Sequence, residues 1–184
     1  MTCAIGVAVL VLGCCLPRSA AGREPDPSAG NGVEKHALIL RLSPFGQAAL
    51  RRAIDLALAK LSRPECSGVY EDFRLQNGVT PRRVLDGLGM TPSELLESLV
   101  FIDGSWDGVC RKGRAALTTT PGSRVIHVCQ GFAQLQSRDP ERSAYLIIHE
   151  SLHVLGLGED PPSSSEITQR VERRCWKGTS LVRR

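Results

Sequence analysis

His149 and His153 stand four residues apart, and Glu150 follows the first of them, so that the chain contains the pattern H-E-x-x-H. On a helix, side chains at this spacing share one face with Cβ atoms roughly 5–6 Å apart, and both imidazoles can bind one ion. Zinc accepts imidazole nitrogens, and a catalytic zinc site leaves one coordination position to water. A carboxylate beside that position can accept a proton from the water. The pattern therefore predicts His149 and His153 as zinc ligands and Glu150 as a catalytic base.

The residues around the motif predict a helix with marked ends. Asp139 and Pro140 have the order of an N-cap and a first-turn proline, and Gly156 is suited to end the helix in a left-handed conformation. Between these ends, four apolar residues at a 3/4 spacing predict a buried stripe: Tyr145, Ile148, Leu152 and Leu155. His149 and His153 fall beside this stripe, so we expect them to face a cleft or the edge of the core.

Chance is the competing explanation, because an ordinary amphipathic helix can carry two histidines and a glutamate. With only four histidines in 184 residues, the pattern arises by accident in about one shuffled chain in two hundred. The glycine that follows three residues after the second histidine strengthens the metal-site interpretation.

The segment 149–160 resembles the zincin metalloproteases, and its H-E-x-x-H-x-x-G part is most similar to the metzincin branch. The resemblance covers about a dozen residues and implies a minimal zincin with a zinc cofactor, peptide-bond hydrolysis and a third ligand at position 159. Metzincins usually have His or Asp there, whereas this chain has Glu159. It also has no methionine after Met90 for the turn that lies beneath the metal in metzincins. The run 155–162, with 166–168, is similar to secreted bacterial proteins of unassigned function.

Several carboxylates compete for the third ligand position: Glu159, Asp160, Glu166 and Glu172. Glu159 is preferred, because it occupies the position that metzincin-like chains use and because glycines at 156 and 158 let the backbone reverse toward the metal. Asp160 could reach the metal if the turn is wider. Ser163 and Glu166 fit a capping box for the last helix, which gives that carboxylate another partner. Glu172 would suit a gluzincin-like arrangement, in which a later helix supplies the ligand.

The N-terminal residues predict export. An apolar or small run at 4–16, followed by small residues at 19 and 21, is typical of a signal peptide that ends near residue 21. The run is too short for a membrane span of about 20 residues. The segment Val11–Cys14 also resembles a bacterial lipobox, with Cys14 as the lipidated residue, and both alternatives stay open. Residues 22–32 read as a flexible linker, and 33–184 as a single domain.

Four cysteines remain after the predicted cleavage, an even number that favours two disulfides in an exported domain. A turn at 118–123 between two predicted strands would bring Cys129 near the start of the first strand. This favours the pair Cys110–Cys129. By elimination, Cys66 would pair with Cys175.

The coarse pattern of elements predicts an α+β domain, in which a small mixed sheet packs on helices. Predicted strands cover 36–42, 99–102, 115–120 and 124–129. Predicted helices include 46–61, a short one opened by Thr91 and Pro92, and two near the C-terminus. In zincins an edge strand lies above the metal-binding helix and receives the substrate backbone, and the strand 124–129 is the predicted candidate.

Three other features are interpreted as structural. The loop Asp103–Gly108 resembles the start of a calcium loop, but position twelve is Arg114 instead of glutamate. It is expected to be a turn-rich loop on the cleft side, with Trp106 lining the cleft. His127 is expected to be a half-buried strand residue, and Ser151 has no oriented His-Asp pair that would make it a nucleophile.

The charge pattern does not favour a nucleic-acid partner, since the formal net charge is only +4 and aromatic residues make up 4% of the chain. Basic residues cluster near the C-terminus but alternate with glutamates, which is typical of a solvated helix face and a basic tail: Arg170, Arg173, Arg174, Lys177, Arg183 and Arg184.

Together these features predict an exported zinc metallopeptidase that acts on a peptide or protein substrate. Its predicted location is secreted or in the cell envelope, either periplasmic or tethered to the membrane by an N-terminal lipid. The alternative belongs to another class: a non-catalytic envelope lipoprotein or binding module with a structural metal. Closed coordination by four protein ligands would indicate that alternative, whereas an open position would indicate an enzyme.

Overall fold

Residues 37–113 and 115–176 are described in the computed structural model, and all of them belong to the unit that spans 34–184. The predicted signal peptide at 1–21, the linker at 22–32 and the tail from residue 177 lie outside the described residues. None of the described helices is long and apolar enough to cross a bilayer.

Four short strands form one mixed sheet in the order β1-β2-β4-β3. The strands are β1 (Leu38–Leu40), β2 (Val100–Asp103), β3 (Leu117–Thr118) and β4 (Val125–Val128). β1, β2 and β4 run parallel, with Val100 opposite both Leu38 and Val125. β3 pairs antiparallel with β4. The predicted α+β class with a small mixed sheet is confirmed.

The prediction that the strand at 124–129 forms the sheet edge is wrong. β4 lies between β2 and β3, so both of its sides are hydrogen-bonded within the sheet. Its short apolar run suits an inner strand because alternate side chains, Ile126 and Val128, are buried. The edges of the described sheet are β1 and β3.

Eight α-helices and one 3₁₀ helix are present among the described residues. They are α1 (Pro44–Leu61), α2 (Pro64–Ser67), the 3₁₀ helix (Gly68–Glu71), α3 (Pro81–Leu88), α4 (Pro92–Glu97), α5 (Gly108–Arg111), α6 (Phe132–Arg138), α7 (Pro140–Val154) and α8 (Ser164–Cys175).

Sequence signals explain where the longer helices begin. α1, α3, α4 and α7 each start with a Ser, Thr or Asp N-cap whose side chain accepts a backbone hydrogen bond, followed at once by proline. α1 starts two residues before its predicted start because Ser43 caps it and Pro44 opens it. α2, α3, α5 and α6 were not predicted. Most of these helices are too short for an apolar period to be visible.

α7 lies at the centre of the fold, where it packs against α1, α6, α8 and β3. Its predicted apolar stripe is buried, with Ile148 and Leu152 fully inaccessible to solvent. Lys60 of α1 is also buried, and its ammonium group pairs with Glu141 at the start of α7. The same ammonium lies over the ring of Tyr145. Thus α7 is packed by several elements, which limits the directions that the side chains on its open face can take.

Both predicted disulfides are present. Cys66–Cys175 joins α2 to the last residue of α8, and Cys110–Cys129 joins α5 to the residue that follows β4. Each bond therefore fastens an element that borders α7 or the sheet.

Candidate metal centre

The H-E-x-x-H residues lie in the last two turns of α7, as the sequence predicted. The helix begins at Pro140 with Asp139 as its cap and ends at Val154. Gly156 follows with φ +98°, a left-handed conformation that a side chain would make unfavourable. The backbone reverses at this glycine, and Glu159 returns to the open face of the helix.

Three potential ligand atoms converge at this reversal. Nε2 of His149 and Nε2 of His153 lie 2.9 Å apart. Glu159 Oε1 lies 3.2 Å from Nε2 of His153 and 3.7 Å from Nε2 of His149. Both histidines are buried, whereas the Glu159 side chain is 50% exposed. The group could hold a metal ion, and its members are the three residues predicted as ligands.

The rival carboxylates lie elsewhere or have other partners. Glu166 and Ser163 form the predicted capping box at the start of α8, with the carboxylate accepting from the Ser163 backbone amide at 2.8 Å. Glu172 lines a cavity beside α7 but does not belong to the cluster of ligand atoms. Asp160 is exposed and also lies outside that cluster.

The far nitrogen of each ring has its own partner, which sequence reasoning missed. His153 Nδ1 lies 2.6 Å from the carbonyl oxygen of Leu157. A carbonyl only accepts, so the proton belongs on Nδ1 and Nε2 keeps its lone pair for the cluster. His149 Nδ1 lies 3.0 Å from the hydroxyl of Thr168 on α8. Such partners orient a metal-binding imidazole and set its tautomer. The sequence predicted a chain reversal near Gly156 and a later helix. It could not show that Leu157 and Thr168 in these segments contact the histidine rings.

His149 is electrically neutral at physiological pH. Burial, and secondly the repulsion that would arise if the adjacent ring of His153 were also protonated, lower the pKa of His149 to about 4. Only a neutral imidazole has a lone pair for a metal, so this environment favours the ligand form.

Glu150 lies beside the cluster, and one of its two carboxyl oxygens accepts no hydrogen bond from the described residues. Its carboxyl is buried, and Oε2 has no hydrogen-bond partner among the described residues. The carboxyl interacts with the backbone amide of Thr119, which follows β3. Burial, and secondly the negative charge of Glu159, raise the pKa of Glu150 to about 8. A carboxyl poised near neutrality can both accept and donate a proton, and a bound cation would lower its pKa.

The edge strand β3, and not β4, borders the open face of α7. β3 is packed on α7, and the turn that follows it is fastened to the same helix, since the Gly122 amide donates to the carbonyl of His153 at 2.8 Å. One side of β3 pairs with β4, and the other side has no neighbouring strand in the described sheet. In the described residues the sheet edge beside α7 is therefore β3, and not β4.

Two cavities meet at Glu150. The larger, of about 650 Å³, lies between α7 and α8, and the smaller, of about 410 Å³, lies between β3 and the end of α7. Four residues line both: Ala115, Leu117, Glu150 and Ser164. The site is therefore reachable from two sides.

The remaining predicted features are structural. The prediction that Trp106 lines the cleft is wrong, since its side chain is 78% exposed and lines neither cavity beside Glu150. Val109 lines the smaller cavity instead. His127 is half-buried, with Nδ1 3.7 Å from Oδ2 of Asp107, in agreement with its predicted role. Ser151 is buried with its hydroxyl 2.6 Å from that of Tyr70, so it is part of the core.

No family model, curated protein or solved structure matches this chain.

Proposed function

We propose that this chain is an exported zinc-dependent peptidase, in which His149, His153 and Glu159 hold the metal and Glu150 is the catalytic base. The observation that carries the proposal is the position of Glu150. Its buried, unpartnered carboxylate oxygen lies beside three converging ligand atoms and between two open cavities. An unsatisfied buried acceptor is costly unless a ligand uses it.

The donor atoms fit zinc. Nitrogen and oxygen ligands lie about 2.0–2.2 Å from a tetrahedral zinc, hence about 3.3–3.6 Å from one another. Of the three observed separations, 2.9 and 3.2 Å lie just below that range and 3.7 Å lies just above it. Two imidazoles with one carboxylate also suit zinc better than calcium or magnesium, which prefer oxygen ligands alone.

The chain's own residues can perform the proton transfers of hydrolysis. When bound, zinc polarises the scissile carbonyl and lowers the pKa of water. Glu150 accepts a proton from the attacking water, whose oxygen bonds to the carbonyl carbon. Glu150 then donates that proton to the amide nitrogen as the C–N bond breaks, which yields a carboxyl group and an amine.

A non-catalytic protein with a structural metal receives less support. Such a site would be closed by four protein ligands. Among the described residues the cluster contains three, and the cavities reach it from two sides. The proposal includes a relationship to the zincins, supported by the motif on α7 and by the free edge of β3 beside it. Export is supported by the two disulfides, and a lipid tether at Cys14 remains part of the proposal.

The test uses chelator-free purified protein, its zinc content and its hydrolysis of a peptide mixture. We expect about one equivalent of zinc in the wild type. Glu150→Gln should keep zinc and fold but lower hydrolysis by about 10²–10⁴-fold, because an amide cannot accept the proton. Glu65→Gln, at an exposed position on α2, is the matched control and should behave as wild type. Hydrolysis that persists in Glu150→Gln would refute the mechanism.

A further inference from the structure

We propose that the outer face of the sheet lies against the surface of an anionic phospholipid membrane. This proposal goes beyond the peptidase function and does not require it, because it depends on the sheet and not on the candidate metal site. The outer sheet face is formed by the side chains of β1, β2 and β4 that point away from the core: Leu38, Leu40, Val100, Ile102, Val125 and His127.

Strand register separates the two faces of the sheet. Ile39, Phe101 and Ile126 are opposite one another on the core face, where Phe101 and Ile126 are fully buried. Successive side chains of a strand point to opposite faces, so their neighbours form the outer sheet face. There Leu38 is 53% exposed and Leu40 is 41% exposed. In the part of the chain that the structure describes, the five aliphatic residues of this face belong neither to the core nor to the apolar residues packed against it.

This apolar face is unusual for the kind of sheet that carries it. Parallel strands are almost always covered on both faces, and a sheet face that meets water usually carries polar side chains. Here three parallel strands present a face that is aliphatic apart from His127. A contiguous apolar surface of this kind indicates a partner that buries it.

The loop after β2 adds an exposed tryptophan beside the outer sheet face. Oδ2 of Asp107 lies 3.7 Å from Nδ1 of His127, which places this loop next to the face. Trp106 precedes Asp107 and is 78% exposed, and Val109 follows it and is 45% exposed. Tryptophan is enriched where membranes meet water, because its ring is apolar while its N–H can bond to polar groups. The chemistry of the loop therefore favours a lipid surface as the partner.

Exposed cations near this face favour anionic lipids. Arg41 follows β1, Arg124 precedes β4, and Lys112 follows α5. Asp107, in the loop after β2, is directed at His127. Anionic head groups attract basic side chains close to the membrane surface. A second copy packed face to face would instead bring like charges into one interface, which opposes association.

The chain before β1 would also hold a membrane near this face. The apolar run at 4–16 and the candidate lipid site Cys14 precede Leu38, the first residue of β1. Leu16 precedes Leu38 by 22 positions. A flexible chain of that length spans about 25 Å, so β1 would be within reach of a membrane that held the run or the lipid. Stable attachment takes two signals, and the outer sheet face supplies the second.

The experiment measures which side of the protein meets the lipid. The full chain is mixed with vesicles of equal parts phosphatidylcholine and phosphatidylglycerol, whose brominated acyl chains quench tryptophan fluorescence on contact. Trp176→Phe leaves Trp106 as the reporter, and Trp106→Phe leaves Trp176, which is 64% exposed at the end of α8. We expect Trp106 to be quenched about threefold more than Trp176, or by a larger factor. Equal quenching of both would show attachment by the N-terminal segment alone and would overturn the proposal.

Leucine variants of the Trp176→Phe chain test the face itself. Leu38→Gln/Leu40→Gln should lower quenching of Trp106 by about fivefold or more at one fixed lipid concentration, because the apolar surface that enters the membrane is lost. Leu88→Gln, at a leucine that is 50% exposed at the end of α3, is the matched control and should keep the original quenching. Unchanged quenching in the double variant would overturn the proposal.

Charge variants give a second test that leaves the apolar residues intact. Arg41→Gln/Arg124→Gln should lower quenching of Trp106 by about tenfold or more, and vesicles of phosphatidylcholine alone should abolish this difference. Arg51→Gln/Arg173→Gln removes the same charge from exposed positions on α1 and α8 and should have little effect. Equal effects of the two pairs would overturn the role of this face.

Sedimentation of the same proteins tests a second copy as the partner. A wild-type dimer that Leu38→Gln/Leu40→Gln dissociates, without quenching of Trp106 by lipid, would assign the outer sheet face to self-association and overturn the proposal. A sedimentation coefficient that the double substitution leaves unchanged, together with the loss of quenching, supports the membrane.

Discussion

Thr168 and the carbonyl of Leu157 hold the two histidine rings from behind. These contacts lie on the Nδ1 atoms, and they leave both Nε2 atoms directed at Glu159. Ring orientation would otherwise have to be fixed when a metal binds, with a loss of side-chain entropy. The protein therefore presents its ligand atoms in an arrangement already suited to an ion.

Replacement of Thr168 by valine tests this orientation, because valine keeps the shape but removes the hydroxyl. We expect Thr168→Val to weaken zinc affinity by about 10–100-fold, as loss of an outer hydrogen bond does in other zinc sites. Affinity is measured by titration against a competing chelator. Thr168→Ser keeps the hydroxyl and should restore most of the affinity. Equal affinities of the wild type and Thr168→Val would show that the contact does not orient the ring.

The choice of third ligand is tested by single alanine variants. Glu159→Ala should weaken zinc binding by more than the roughly 10–100-fold caused by loss of an outer contact. Asp160→Ala and Glu172→Ala serve as controls and should bind nearly as well as the wild type, while Glu166→Ala should mainly lower stability. If loss of affinity is confined to Glu172→Ala, the ligand comes from α8 and the assignment of Glu159 is wrong.

At the scale of elements, α8 determines where Thr168 lies. Its start is fixed by the Ser163–Glu166 capping box and its last residue by the bond to Cys66. Its outer side is held by Arg174, which donates to Asp72 just after the 3₁₀ helix with Nε 2.8 Å from Oδ2. The candidate metal site thus depends on an element that supplies none of its three converging ligand atoms.

Asp72 makes the docking of α8 sensitive to acid. The hydrogen bond from Arg174 holds the pKa of Asp72 below its usual value and outweighs the effect of burial. Because the folded-state pKa lies below the unfolded value of about 3.9, the stabilisation is present above that pH and is lost as the pH falls through the folded pKa. Asp72→Asn should lower the free energy of unfolding by about 1 kcal/mol at neutral pH.

Urea unfolding at neutral pH and at about pH 3 measures this effect, and the difference between Asp72→Asn and the wild type should shrink in acid. Asp86→Asn is the control, since its pair with Arg82 is exposed and should contribute within about 0.5 kcal/mol. A difference that stays constant with pH would contradict the role of the Asp72 charge.

At the scale of the whole molecule, the two disulfides close loops of very different length. Cys66 and Cys175 are separated by 109 positions, and Cys110 and Cys129 by 19. The longer loop restricts the unfolded chain more, by a chain-entropy difference of about 1.5 kcal/mol. The first bond should therefore contribute more to global stability.

The paired variants Cys66→Ala/Cys175→Ala and Cys110→Ala/Cys129→Ala test this order. Expected losses in free energy of unfolding are about 4.8 and about 3.3 kcal/mol, respectively. Denaturant titration of both proteins and of the wild type under oxidising conditions measures them. A larger loss for the second pair would show that contacts of the loop near the candidate metal site, and not chain entropy, determine how much each disulfide contributes to the free energy of unfolding.

Local signals in the sequence were sufficient to predict the helix that carries the H-E-x-x-H pattern and the candidate donor residues. Asp139, Pro140 and Gly156 mark the ends of α7, and the spacing of the histidines places both rings on one side of it. These features depend on residues within a few positions of each other, so helical geometry alone converts sequence into arrangement. The even number of cysteines and one predicted turn likewise led to the observed disulfides, and the α+β class followed from alternating patterns.

Only the tertiary structure decided the strand order, the outer partner of His149 and the two cavities. A four-residue apolar strand such as β4 has the same pattern whether one or both of its edges are paired, so the sequence could not show that β3 forms the edge beside α7. Thr168 meets His149 across 19 positions because α8 packs on α7, and no local period records that contact. Cavities arise where packed elements fail to fill space. For these reasons the candidate ligands could be proposed from the sequence, whereas their outer contacts and the cavities beside them required the fold.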